Sequence, residues 1–329
     1  MMQRIIGESI RGYTHIQRNL ECQDRKLSRE LEDGSLVLSV ADGHGSRSCP
    51  YSGTGAELAV NTFCKLIDEL HSDFQNAGDL VDFQNAEDLS GFQNAEDLSG
   101  FLNHQGGLKF AQTVERDWKE AVQAYHLKVG LPMPMTQTGE EDLNALYRLY
   151  GTTLLGLLIA PTFVFAFQIG DGDITYADDG GVQPVVVADK LLGVESHSLC
   201  SREAWKKAVS TVRFQPWEQH FEDLKTYGPD TAASTVHFQS WEQHLPCAFL
   251  LSTDGLSNSY ADDEAFRQTC AQYFEALKTY GPDAVEENLP EWLSETSRLG
   301  CGDDTTLLMA YLAPDGWEPQ AQKEEKEEE

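Results

Sequence analysis

Two kinds of apolar pattern alternate along this chain. Residues 36–41, 152–159, 162–169, 182–187, 247–252 and 305–312 are short runs rich in β-branched, aromatic and leucine side chains, which predicts buried strands. Residues 154–160, the break at Pro161-Thr162 and the run from Phe163 onward predict a hairpin. Strands joined so tightly pair antiparallel, which disfavours an all-parallel sheet. The other pattern is helical. Ala56, Ala59, Val60, Phe63, Cys64, Ile67 and Leu70 fall on one helical face, as do Phe110, Val114, Trp118, Val122 and Tyr125. Both are expected to lie over a sheet, with further helices over residues 263–277 and 285–298. Residues 129–140, which hold two prolines and two glycines, predict a loop.

Two internal repeats interrupt this alternation. A nine-residue unit beginning at Asp73 recurs so that Phe74, Phe83, Phe92 and Phe101 stay in phase. Nine residues are about two and a half helical turns, so successive copies would face opposite sides of a straight helix. The expectation is an insertion in a surface loop over residues 72–101, which loop-closure entropy tolerates. Residues 211–220 return as 235–244, and residues 221–230 resemble 274–283, which points to a second insertion over 221–233. The expected organisation is one domain over residues 1–313, followed by an acidic, disordered tail over 314–329.

Composition narrows the function classes. Of 329 residues, 40% are apolar, enough to bury a core; 24 basic against 54 acidic residues leave a formal charge of −30. Such a surface repels nucleic-acid phosphates and anionic membranes, so neither is an expected partner. Seven cysteines, an odd number without CxxC spacing, fit neither a disulfide framework nor a zinc ribbon and are expected as buried free thiols. No run of about 18 apolar residues occurs, and a cytoplasmic location is expected.

The chemistry sits where strands end. Three apolar runs finish in Asp-Gly, at Asp42-Gly43, Asp171-Gly172 and Asp254-Gly255, and Asp303-Asp304 opens the last strand. A strand end is a rigid mount for a side chain. Carboxylates gathered this way repel one another unless cations lie among them. Hard divalent ions, Mn²⁺ or Mg²⁺, suit an oxygen-only site.

The string Val40-Ala41-Asp42-Gly43-His44-Gly45, followed by Gly55-Ala56 opening a helix, resembles the signature of the metal-dependent type 2C protein phosphatases. Gln23-Asp24, Gly151-Thr152-Thr153, Ile169-Gly170-Asp171-Gly172, Ser252-Thr253-Asp254-Gly255-Leu256 and Asp303-Asp304-Thr305-Thr306 stand in the matching order. The opening residues, with His15 and Cys22-Gln23-Asp24, are similar to a bacterial branch of that family. The resemblance implies an α+β fold, a four-layer αββα sandwich of two packed antiparallel sheets with helices on both outer faces. It implies two ions bridged by Asp42, with the Gly43 carbonyl on one and Asp254 and Asp303 on the other. Asp24 would hold ion-bound water, and Asp171 would hold a third, weaker ion. The implied reaction is hydrolysis of phosphoserine and phosphothreonine by water activated between the ions, without a phosphoenzyme. His44 is the candidate acid for the leaving alkoxide. Asn19 stands where the family's phosphate-holding arginine is expected, and the neighbouring Arg18 is the candidate clamp. Gln23 stands where the family often has Glu. Implied partners are phosphorylated proteins, including a cognate serine/threonine kinase or its targets.

Two other readings compete. Asp171-Gly172-Asp173-Ile174-Thr175 fits the DxDxT pattern of haloacid-dehalogenase-type phosphatases, with Asp171 as nucleophile. The chain would otherwise be a phosphatase-like module that binds phosphoproteins without turnover.

Overall fold

The computed structural model describes residues 1–76, 107–161, 163–186, 197–214 and 245–322. The chain opens with β1 (Met2–Ile10), α1 (Tyr13–Arg18), β2 (Arg25–Glu30), β3 (Leu36–Ala41) and the long α2 (Ser52–Asn76). Then come α3 (Gly107–Lys128), α4 (Leu143–Arg148), β4 (Leu154–Ile159), β5 (Phe163–Ile169), β6 (Asp173–Asp178), β7 (Gly181–Pro184) and β8 (Val209–Phe214). The last part holds β9 (Cys247–Ser252), α5 (Asp254–Ser257), α6 (Asp263–Tyr280), α7 (Pro282–Leu299) and β10 (Thr305–Ala313).

These strands build two five-stranded sheets, one ordered β1-β10-β9-β6-β7 and the other β2-β3-β4-β5-β8, and every pairing is antiparallel. The predicted hairpin is present, with Leu154 opposite Ile169 and Ile159 opposite Val164. Alternation along β3 explains the layering. Leu36, Leu38 and Val40 enter a core between the sheets, with Leu155, Leu157, Phe249, Leu251, Leu308 and Ala310. Val37 and Ala41 face the other way, toward Phe63, Phe110 and Trp118 of α2 and α3. On the far side Ile6, Leu250, Leu307 and Met309 meet Phe274, Leu277, Leu289 and Leu293 of α6 and α7. The protein is thus an αββα sandwich. A strand whose two faces are both covered carries apolar residues at every position.

Several expectations on the chain's organisation change. Helix α2 extends to Asn76, so the first repeat begins within it and not in a loop starting at residue 72. Residues 77–106 and 215–244, which contain the remaining repeats and the expected 221–233 insertion, lie outside the described residues. The first copy of the 211–220 duplication begins inside β8, which pairs with β5. The copy at 274–283 is also structured, closing α6 at Gly281 and opening α7 at Pro282. Residues 314–322 are not part of a disordered tail. Trp317 packs on Tyr311 with ring centroids 5.2 Å apart, and the N-terminal ammonium reaches Asp315 at 2.6 Å. Residues 323–329 lie outside the described residues. Of the seven free cysteines, Cys49, Cys64, Cys247 and Cys270 are buried, but Cys22 and Cys200 are partly exposed and Cys301 is exposed. Among the described residues no helix is long and apolar enough to cross a membrane.

Phe63 is the hinge of the helix-on-sheet contact, fully buried and meeting Phe110 edge-on at 5.9 Å and Phe167 at 6.3 Å. Its ring lies over Gly156, where any side chain would overlap it. Phe63→Ala should cost about 3–5 kcal/mol of folding stability, read by urea denaturation.

Candidate metal centre

At one end of the sandwich, chain turns from both sheets converge. The turn after β3 carries Asp42, Gly43 and His44. It is held by the Gly-Thr-Thr segment before β4: Thr153 N–H and the Thr152 hydroxyl both donate to the Asp42 carbonyl at 2.8 Å. The Asp42 N–H donates to Thr153 Oγ1 at 2.9 Å, and His44 N–H donates to the Gly151 carbonyl at 3.2 Å. From the other sheet, β9 ends at Thr253-Asp254, and β10 begins just after Asp303-Asp304. Gly255 is obligatory here, because an added Cβ would overlap the Asp304 carbonyl. Two turns from different strands can approach this closely only through that glycine.

Asp24 lies at the seam of the two sheets and is 2% exposed. Its Oδ2 accepts hydrogen bonds from Thr253 Oγ1 at 2.6 Å and Thr306 Oγ1 at 2.8 Å. Its Oδ1 is buried and has no hydrogen-bond partner, as is the Oε1 of the adjacent Gln23. A buried, unpaired carboxylate oxygen is costly and marks a place for a ligand. Burial pushes the Asp24 carboxyl up to about 7, with Asp304 and Asp254 adding to the rise and the two threonine hydroxyls opposing it. Burial likewise raises Asp42 well above the ordinary carboxylate range, reinforced by Asp24, Asp254 and Asp303. Asp254 is pushed up to about 6, by burial first and then by Asp171, Asp303 and Asp173, while a hydrogen bond with Asp42 works the other way. The carboxylates the sequence singled out are therefore mutual neighbours: each of Asp24, Asp42, Asp171, Asp254 and Asp303 perturbs at least one of the others. Among the described residues no three His, Cys, Asp or Glu side chains converge on a single point. The clustered acids nonetheless offer oxygen donors, and Asp24 Oδ1 is left over, which fits a hard divalent ion.

Asp303 and Asp304 play different parts. The Asp304 side chain is 3% exposed, and both its oxygens are engaged, by Gly12 N–H at 2.6 Å, Gln23 N–H at 2.6 Å and His15 Nδ1 at 2.8 Å. The Asp303 side chain is 57% exposed. The acid that can open toward a ligand is Asp303. Arg18 sits exposed on the last turn of α1, and among the described residues no contact ties it to the carboxylates. The nearby Cys22 thiol is raised by burial and by Asp304 and Asp24, so it has no thiolate character for nucleophilic attack. Sequence reasoning gave no role to His15, Thr253 or Thr306 and left Asp304 open only as the alternative to Asp303 as a ligand. The doubled Asp-Asp-Thr-Thr string was the available signal for two of them, whereas His15 depends on a contact 288 or more residues away along the chain.

With this geometry, comparison with known proteins becomes decisive. The sequence profile of protein phosphatase 2C matches residues 11–294. The chain belongs to the protein phosphatase 2C family. It is accordingly a metal-dependent protein serine/threonine phosphatase, and the haloacid-dehalogenase reading with Asp171 as nucleophile is set aside. No curated protein sequence matches this 2C phosphatase significantly. Its fold is shared by the catalytic domain of the serine threonine protein phosphatase PstP, solved with two manganese ions, at 16% identity and TM-score 0.50, over 95% of this chain and 99% of that one. The S. agalactiae serine/threonine phosphatase matches at 13% identity and TM-score 0.50, over 94% and 100% of the two chains. A bacterial serine phosphatase matches at 12% identity and TM-score 0.52, over 95% and 99%.

The charge cluster has a measurable cost in the metal-free protein. A carboxyl raised from 3.8 in the unfolded chain to about 6 binds its proton more tightly when folded. Its contribution to stability is therefore full below about pH 4 and is lost as pH rises through about 6. At pH 8 in a chelator, Asp254→Asn should stabilise the phosphatase by about 2–3 kcal/mol, two units at about 1.4 kcal/mol each. Thermal unfolding at pH 5 and pH 8 checks this: the gain should shrink at the lower pH.

Proposed function

We propose that this 2C phosphatase hydrolyses phosphoserine and phosphothreonine in proteins by direct attack of water on phosphorus, with two Mn²⁺ or Mg²⁺ ions held by the strand-end acids and no phosphoenzyme. The observation that carries the reading is the cluster of Asp24, Asp42, Asp254 and Asp303, in which Asp24, Asp254 and Asp303 raise the proton affinity of Asp42, Asp254 raises that of Asp24, and one buried Asp24 oxygen has no partner. Bound divalent ions supply Lewis acidity, making water a nucleophile near neutral pH and drawing charge from the phosphoryl oxygens. Asp42, the Gly43 carbonyl, Asp254 and Asp303 would hold the two ions. Asp171, whose charge acts first on Asp254 among the neighbouring acids, would hold a third ion.

The chain's own side chains do the rest. Asp24, its Oδ2 fixed by two threonine hydroxyls, orients the attacking water through its unpartnered Oδ1. His44, whose backbone is tied to Gly151, delivers a proton to the leaving serine or threonine oxygen. Arg18, on a short exposed helix beside the site, clamps the phosphoryl group through its guanidinium. The substrates are phosphorylated proteins, with a serine/threonine kinase or its targets among them.

Hydrolysis of a phosphothreonine peptide should require Mn²⁺ or Mg²⁺ and stop in chelator. Asp42→Asn and Asp254→Asn should each lower kcat at least a hundredfold. Metal-independent turnover, or full activity in both variants, would sink the reading; a folded protein that binds the peptide and ions without turnover would make it a binding module. Arg18→Ala should raise KM about tenfold with kcat little changed, a split that steady-state kinetics reads directly.

A further inference from the structure

His15 lies between the two acids at the start of β10, and its two ring nitrogens face different ones. Nδ1 is 2.8 Å from Asp304 Oδ1, and Nε2 is 3.7 Å from Asp303 Oδ1. The first contact determines the tautomer. Asp304 already accepts backbone N–H groups on both oxygens, from Gly12 and Gln23, and serves throughout as an acceptor. The hydrogen shared with His15 therefore sits on Nδ1. That leaves Nε2 as the ring nitrogen that faces Asp303, whose Oδ1 also accepts the Asp304 N–H at 2.9 Å. At 3.7 Å the two atoms are too far apart for a hydrogen bond. The span is shorter than two metal–ligand bonds of about 2.1 Å each, so one ion reaches both.

The placement is rigid. Thr14 donates to the Gly302 carbonyl from both its N–H, at 2.9 Å, and its hydroxyl, at 2.8 Å. Tyr13 N–H donates to Ser297 Oγ at 3.0 Å, and Ser297 Oγ donates to the Asp303 carbonyl at 2.8 Å. The short helix α1 is thus bolted to the loop that bears Asp303, and only 12% of the His15 side chain is exposed. An imidazole that gives its other N–H to a buried carboxylate is the usual second shell of a metal-bound histidine. The unpartnered, buried Asp24 Oδ1 is a separate observation that a ligand belongs in this cleft.

We propose that His15 Nε2 is a nitrogen ligand of the ion held by Asp303, with Asp304 as its orienting carboxylate; this rests on the metal-dependent reading above. An imidazole nitrogen favours Mn²⁺ over Mg²⁺, which keeps to oxygen ligands and water. The site would be tuned to manganese by its first helix.

The test is electron spin-echo modulation of the full chain loaded with Mn²⁺, together with calorimetric Mn²⁺ and Mg²⁺ titrations. The wild type should show nitrogen coupling that persists in His44→Gln and vanishes in His15→Asn. The Asn amide can still donate to Asp304 from near the Nδ1 position, so the tether survives while Nε2 is removed. His15→Asn should weaken Mn²⁺ binding at least tenfold and Mg²⁺ binding by less than threefold. Bound Mn²⁺ without nitrogen coupling in the wild type overturns the proposal and leaves the phosphatase reading standing. So does coupling that survives His15→Asn, or an equal loss of both metals, which marks a mere tether. Failure of Mn²⁺ to bind the wild type overturns both.

Discussion

Like charges held close at one end of the sandwich are the constraint around which this protein is arranged. Asp42 and Asp254 follow the ends of interior strands of opposite sheets, Asp24 lies at the seam between them and Asp303 in the loop entering β10. None can be moved away without unmaking a strand end. Burial and mutual repulsion raise Asp24 to about 7 and Asp254 to about 6, so the folded chain holds its acids at an energetic cost until something positive joins them. The cores on either side must supply that stability. They do so with three separate apolar clusters, one between the sheets and one under each helical layer.

Hydroxyls and backbone amides hold Asp24 and the backbone of Asp42, and among the described residues no lysine or arginine pairs with either carboxylate. Thr253 and Thr306 grip Asp24, and Thr152 and Thr153 grip the backbone of Asp42. A salt bridge to any of these carboxylates would neutralise the charge that an ion must find. Neutral donors fix geometry while leaving the negative charge in place. Asp304 is the exception that shows the logic. Its charge is absorbed by two amides and an imidazole, and it ties the N-terminal arm to the last strand across 281 to 292 residues of sequence.

How much of this could be read from the sequence depended on whether a residue's role was local. Strands β3, β4, β5, β9 and β10 announced themselves because both faces are covered and every position is apolar. The four long helices were legible from spacing. Strands β1 and β2 were not: MQRIIGESI and RKLSRE are half-exposed edge strands whose polar residues dilute the period-two signal. β6 was hidden for a different reason, since Asp173-Ile174-Thr175 reads as the end of a motif and not the start of a strand. At the site, the Asp-Gly pairs were visible because the turn chemistry is written in consecutive residues. The role of Asp304 was not, because neighbouring acids with the same side chain differ only in what lies across from them. Trp317, assigned by its acidic neighbourhood to a disordered end, packs on Tyr311 because one indole in a charged segment can still find apolar cover.

The substitution at position 23 follows from the same electrostatics. A glutamate there would set a further negative charge beside Asp24, whose carboxyl is already raised to about 7 and whose Oδ1 is unpartnered. Gln23 keeps an oxygen of similar reach, with its Oε1 also buried and unpartnered, and adds no charge. The backbone N–H of the same residue is committed to Asp304 at 2.6 Å, which fixes the point from which its side chain extends. A chain whose overall charge is already −30 thereby keeps an oxygen donor next to its most strongly buried acid without deepening the repulsion that the fold must offset.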